Sequence, residues 1–109
     1  MAAIVSTDPF RPEEVVATAE PPTPAEVDAV LDRAVDAQRQ WRESAAARSR
    51  ALHALADAVA AREGLAELIT REVGKPITES RGEVARAVAI LRYYAQASFD
   101  PVGEMYPGS

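Results

Sequence analysis

The 109-residue chain contains no cysteine. Disulfides, thiolate metal sites, thioredoxin-type exchange and a cysteine nucleophile are therefore excluded from these residues. A single histidine, His53, cannot supply the paired imidazoles of a histidine metal site. Basic charge is also short. Against 17 Asp and Glu stand 12 Lys and Arg, a net charge of −5, whereas phosphate neutralisation needs a cationic face, so no nucleic-acid partner is expected. No apolar run approaches the roughly 20 residues needed to cross a bilayer. Residues 1–6 lack the basic and long apolar regions of a signal peptide, and the chain reads as cytoplasmic with no membrane partner. Aromatic residues make up only 6%, and much of the 48% hydrophobic share is alanine. Core material per residue is thin, and at this size roughly two-thirds of the unfolded surface can be buried at best.

Organisation is clearer than composition. Five of the eight prolines precede residue 25, which excludes a long helix there and leaves extended chain with turns. Ala3 to Ser6 and Val15 to Thr18 are β-prone runs, and Asp8-Pro9-Phe10-Arg11-Pro12 between them has the chemistry of a hairpin loop. Thr23-Pro24-Ala25-Glu26 then combines an N-cap, a proline at the first helical position and the glutamate of a capping box. Val27, Val30, Leu31, Ala34, Val35, Gln38 and Trp41 recur at helical spacing and form one apolar stripe. Ser44 can cap a second helix with Leu52, Leu55, Ala56, Val59 and Ala60 on its core face. The pattern resumes after Gly64 and stops at Gly74 and Pro76. A last helix is predicted from about Thr78 to Ser98, with Val84, Ala87, Val88, Leu91, Tyr94 and Ala95 on one side. The expected layout is an extended or β-hairpin segment over 1–22, a helical region over 23–99 with three or four amphipathic helices, and an irregular tail over 100–109.

Motifs for chemistry are incomplete. A phosphate loop built on Gly74-Lys75 would need glycine where Ile69 sits and Ser or Thr where Pro76 sits. The glycines never fall at the G-x-G-x-x-G spacing that lets backbone approach a pyrophosphate, and no G-x-S-x-G elbow is present. His53 reads as a partly exposed helix residue. Asp32 and Asp36 with Arg33, and Glu79 and Glu83 with Arg86, read as solvated helix faces. Tyr93, Tyr94, Phe99 and Tyr106 form either a ligand platform or the packing edge of the last helix. The absence of basic residues around them favours packing. Gly82, inside a helical pattern, allows close approach of another backbone or is tolerated at a cost of about 1 kcal/mol relative to alanine.

Taken in order, several segments resemble the beginning of an NAD(P)-dependent aldehyde dehydrogenase. Asp8-Pro9 with Glu14-Val15-Val16-Ala17-Thr18 resembles that family's early hairpin, although Phe10-Arg11-Pro12-Glu13 replaces its usual small-residue turn. Ala25 to Asp28 and Trp41-Arg42 are similar to its first helix, and Arg48 to Leu52 with Leu55-Ala56-Asp57 to its second. Glu72-Val73-Gly74-Lys75-Pro76 is the most specific piece, followed by Arg81 to Val84, Leu91 to Ala95 and Gly103 to Pro107; the last resembles the semialdehyde-oxidising branch.

The resemblance implies a parent enzyme with an α/β fold, of which this segment is the mostly α, helical N-terminal part of the cofactor-binding domain. It implies NAD or NADP as cofactor in the parent, none for this chain alone, and a homo-oligomeric assembly with the remainder of the enzyme as partner. The family's reaction uses a thiolate nucleophile, a nicotinamide hydride acceptor, a glutamate base and an asparagine at the oxyanion. All of these lie beyond residue 109 in the family, so no catalytic or cofactor-binding residue is expected here and the chain alone should be inactive. Two sets of positions do fall inside the chain. Glu72, with a backbone carbonyl near Thr7, corresponds to a monovalent-cation site. Gly82, Glu83, Arg86 and Ala87 correspond to the border of a substrate tunnel. A non-catalytic helical assembly module derived from the same family is the alternative expectation.

Overall fold

Asp8 shapes the beginning of the chain. In the computed structural model, which describes residues 2–108, strands β1 (Ile4–Asp8) and β2 (Arg11–Ala19) pair antiparallel. The expected five-residue loop is corrected to a reversal over Pro9 and Phe10 alone, and both strands run longer than the sequence suggested. The tighter turn forms because Asp8 Oδ1 accepts the Phe10 N–H at 2.9 Å and Oδ2 accepts from Arg11 Nη2 at 3.1 Å. Such an aspartate substitutes its side chain for a missing backbone acceptor. Pro12 is accommodated inside β2 because the register passes from Thr7↔Val15 to Asp8↔Arg11. Residues 12–14 therefore have no Cα partner in β1, and the absent proline N–H is not required there.

Four helices follow: α1 (Pro24–Trp41), α2 (Ala45–Ala61), α3 (Leu65–Val73) and α4 (Ile77–Ala97). The start of α1 is the capping box read from the sequence. Thr23 Oγ1 accepts the Glu26 N–H at 3.3 Å, and Glu26 Oε2 accepts the Thr23 N–H at 2.8 Å. These two bonds satisfy backbone donors that a helix start otherwise leaves open. Ser44 caps α2 by accepting the Ala47 N–H at 3.1 Å. Helix α3 lies between two left-handed glycines, Gly64 at φ 76° and Gly74 at φ 74°, a conformation that costs other L-residues a Cβ clash. Pro76 then begins α4 within a residue of the predicted start.

Packing is concentrated in α2, α3 and α4. The buried residues of α2 and α4 are small: Ser49 and Ala56 on the first, Ser80 and Ala95 on the second. Short side chains let two helix axes approach closely, which makes alanine-rich helices useful despite the little apolar area each residue buries. Arg92 on α4 also reaches Asp57 on α2 at 3.2 Å. Between α3 and α4 the fully buried Ser80 shares a 2.8 Å hydrogen bond with Thr70. The hairpin rests on α3.

Helix α1 is different, since none of its residues is buried. Val27, Val30, Leu31, Val35 and Trp41 all lie open, Val35 at 61% of its full exposure. The radius of gyration is 19.4 Å, against about 13 Å for a compact chain of this length. The expectation that Tyr93, Tyr94, Phe99 and Tyr106 pack the edge of the last helix is corrected as well. All four are exposed, Tyr94 at 59%, and Tyr93 and Tyr94 meet edge to face with ring centroids 5.2 Å apart. Small residues dominate the α2–α4 seam, so these large side chains project from it rather than filling it.

Candidate functional site

The hairpin, the end of α3 and the start of α4 converge around Gly74. A Cβ placed there would stand 2.7 Å from Pro9 Cγ and 2.9 Å from Phe10 Cε2. Gly74 thus has two reasons to be glycine: its positive φ ends α3, and its missing side chain makes room for the hairpin turn. Asp8, Phe10, Arg11, Thr70, Arg71, Gly74 and Lys75 line a recess of 200 Å³ at this junction. Asp8 is buried at its rim, at 4% exposure. The Phe10 N–H holds the Asp8 carboxyl below the usual aspartate range, burial opposes this, and the Arg11 guanidinium adds to the lowering. Arg11 also pairs with Glu14 at 2.9 Å, so the hairpin turn carries its own neutralised charge network.

Glu72 sits two residues before Gly74 and reaches β1. Its Oε1 accepts the Ser6 Oγ–H at 2.7 Å, which brings the carboxylate to the strand that carries Thr7. Glu72 itself is exposed and Thr7 half-buried. The groups brought together here are one carboxylate and one hydroxyl, both hard oxygen ligands. No group of three or more His, Asp or Glu side chains positioned to hold a metal occurs among the described residues, so the set does not suit a divalent ion with several carboxylates.

Gly82, Glu83 and Arg86 share one face of α4. With Lys75 and Glu79 they line an open cleft of 340 Å³. Ala87 is exposed but does not line that cleft. Glu83 pairs with Lys75 across the α3–α4 corner rather than with Arg86. A Cβ built on Gly82 would meet nothing within 4 Å, so any close approach at this glycine involves atoms beyond the described residues. His53 is half-buried on α2. Chemically, these clusters can bind, orient and neutralise charge; the chain offers no thiolate to attack a carbonyl.

Three features escaped the sequence reading: Gly74 as the seat of the hairpin, the pairing of half-buried Thr70 with buried Ser80, and Arg48. The guanidinium of Arg48 donates to the carbonyl oxygens of Trp41 at 2.8 Å and Arg42 at 3.0 Å. The first two join residues whose meeting depends on tertiary folding. For the third a local signal existed, because an arginine a few residues after a helix end is a ready donor to its last carbonyls.

The sequence that builds these elements is similar to that of known proteins. The family model described as the aldehyde dehydrogenase family matches residues 2–109, and the chain belongs to that family. It is 34% identical over 104 residues to the alpha-ketoglutaric semialdehyde dehydrogenase of Bacillus subtilis, covering 94% of this chain and 21% of the relative. It is 37% identical over 102 residues to the NADP(+) succinate-semialdehyde dehydrogenase of Deinococcus radiodurans, covering 79% and 21%. A third relative, the 3,6-anhydro-alpha-L-galactose dehydrogenase of Streptomyces coelicolor, is 38% identical over 81 residues, covering 72% and 16%. The chain spans about a fifth of the length of the first and second of these relatives. No helix among the described residues is long and apolar enough to cross a membrane.

Proposed function

We propose that this chain works as the N-terminal segment of a longer aldehyde dehydrogenase that oxidises a semialdehyde to a carboxylic acid with NAD or NADP. In this reading residues 23–99 are the helical opening of the cofactor-binding domain, and the nucleophile and nucleotide cradle come from the remainder of the enzyme. The observation that carries the reading is the open apolar stripe of α1, in a chain that spans about a fifth of its relatives. Exposed apolar surface on this scale is costly in water and is covered when a partner surface is present. The remainder of the dehydrogenase is that partner. Semialdehyde chemistry is supported by the names of the Bacillus and Deinococcus relatives, and NADP by the second. A homo-oligomer in the cytoplasm completes the family-based reading.

Two binding roles belong to the same proposal. Glu72, with a carbonyl beside Thr7, holds a monovalent cation that ties the hairpin to α3; the Ser6–Glu72 bond supports this. Gly82, Glu83, Arg86 and Ala87 border the path taken by substrate, supported by the cleft that the first three share.

A chimera carrying this chain in place of the matching fifth of the Bacillus relative tests the proposal. It is expected to fold and to reduce nicotinamide cofactor with a semialdehyde, while the purified 109-residue chain given the same reactants yields no reduced nicotinamide. An insoluble or inactive chimera counts against the segment assignment. Turnover that follows the isolated chain through purification counts against its inactivity. Replacing Glu72 with glutamine in the chimera should remove a potassium-dependent rise in melting temperature.

A further inference from the structure

Helix α1 is joined to α2 by Arg42, Glu43 and Ser44. Its side chains do little to hold it, since none of its residues is buried. The hollow where its end approaches Ala47 of α2, a space of 540 Å³ bordered by Ala34, Gln38 and Trp41, is open rather than filled. What bridges the corner is Arg48. Its Nη1 donates to Trp41 O at 2.8 Å and to Arg42 O at 3.0 Å, two of the carbonyls that the end of a helix leaves without intrahelical donors.

The position of this arginine is unfavourable for its own helix. A cation near a helix N-terminus opposes the helix dipole, and the first turn of α2 has no acidic residue to offset it. The same cation at the C-terminus of α1 is favourable, and its two donors are directed there. Backbone bonds stiffen the link from both sides. Arg42 N–H donates to Gln38 O at 3.1 Å, Glu43 N–H to Gln40 O at 3.2 Å, and Arg48 N–H to Ser44 O at 3.1 Å. We propose that Arg48 is a positioning residue that locks α1 at one angle to α2, making the exposed helix a fixed arm rather than a freely swinging one. The lock is a property of these residues and is independent of the proposed activity.

The lack of cysteine makes the lock measurable on the full chain. Ala29→Cys on α1 and Ala54→Cys on α2, both at exposed positions, introduce a unique pair for nitroxide labels, and pulsed dipolar resonance reads the distance distribution between them. The parent should give a single narrow distribution. Arg48→Met, which keeps the stem but removes the donors, should at least double its width at unchanged far-ultraviolet helicity. Arg48→Gln, a comparable helix former, should broaden it likewise, while Arg48→Lys should stay near the parent. A parent distribution as broad as that of Arg48→Met overturns the lock, and so does a narrow parent distribution that Arg48→Met and Arg48→Gln leave unchanged.

Discussion

Helices α1 and α3 invert the usual relation between local signal and tertiary engagement. Helix α1 has a complete capping box, a proline at its first position and a long apolar stripe, yet it buries nothing. Helix α3 has nine residues and no side-chain cap at its start, yet it buries Ala66, bonds Thr70 to Ser80 of α4 and carries the hairpin. Capping and periodicity decide that a segment is helical. They do not decide what it leans on, because side chains elsewhere supply that surface. The contrast divides the molecule into a packed body around Gly74 and an arm whose stability is local.

The strongest way to break that division is Gly74→Val. A left-handed φ and a Cβ within 3 Å of Pro9 and Phe10 should together cost about 2–4 kcal/mol, read as a lower urea midpoint and faster amide exchange in the hairpin, with α1 unaffected. Ser80→Ala removes the partner of Thr70 inside the body and should cost about 1 kcal/mol in the same titration. Thr23→Ala should cost a similar amount, about 1 kcal/mol, but confined to α1. Helicity reported near Trp41 should fall while exchange in α3 and α4 stays constant; a matching loss in those helices would show that arm and body are one cooperative unit. Leu31→Asp, on the open stripe, should shift the stability of this chain by no more than about 0.5 kcal/mol, and should unfold the chimera if the remainder of the enzyme covers that stripe.

The mildest effect is that of pH. The Asp8 carboxyl is held below its ordinary value of 3.8, first by the Phe10 N–H. A carboxyl lowered on folding contributes stability that is complete above the unfolded value and is lost as pH falls through the folded one. The protection that Asp8 gives the hairpin, corrected for intrinsic exchange, should therefore be full and constant at neutral pH and decline only below about pH 4. Asp8→Asn should flatten that acid limb.

Much of the helical layout was legible from the residues themselves. Thr23, Glu26, Ser44, Gly74 and Pro76 act on backbone groups within a few positions, and such contacts are encoded locally. The hairpin was visible in outline, but its turn was misjudged, because Pro12 suggested a loop where the ladder simply skips residues 12–14. Apolar faces were read as faces, but the core face assigned to α2 holds only in part, with Ala56 buried and Leu55 open, and Tyr94 does not pack as expected. Periodicity marks which side of a helix prefers burial, whereas Val35 and Tyr94 remain exposed for want of an opposing surface among the described residues. The Glu72 and Thr7 positions were drawn from resemblance. The geometry adds the Ser6 hydroxyl on Glu72, a contact that no spacing rule links across so many residues.

The seat at Gly74 also bears on synthesis. Ser6 and Glu72 are separated by 66 positions, and ribosomes add roughly 5–20 residues per second. The first strand pair therefore leaves the exit tunnel some seconds before its resting place has been translated. During that interval the newborn hairpin has only its own turn to hold it, so its edges are available to nascent-chain chaperones until the later helix arrives.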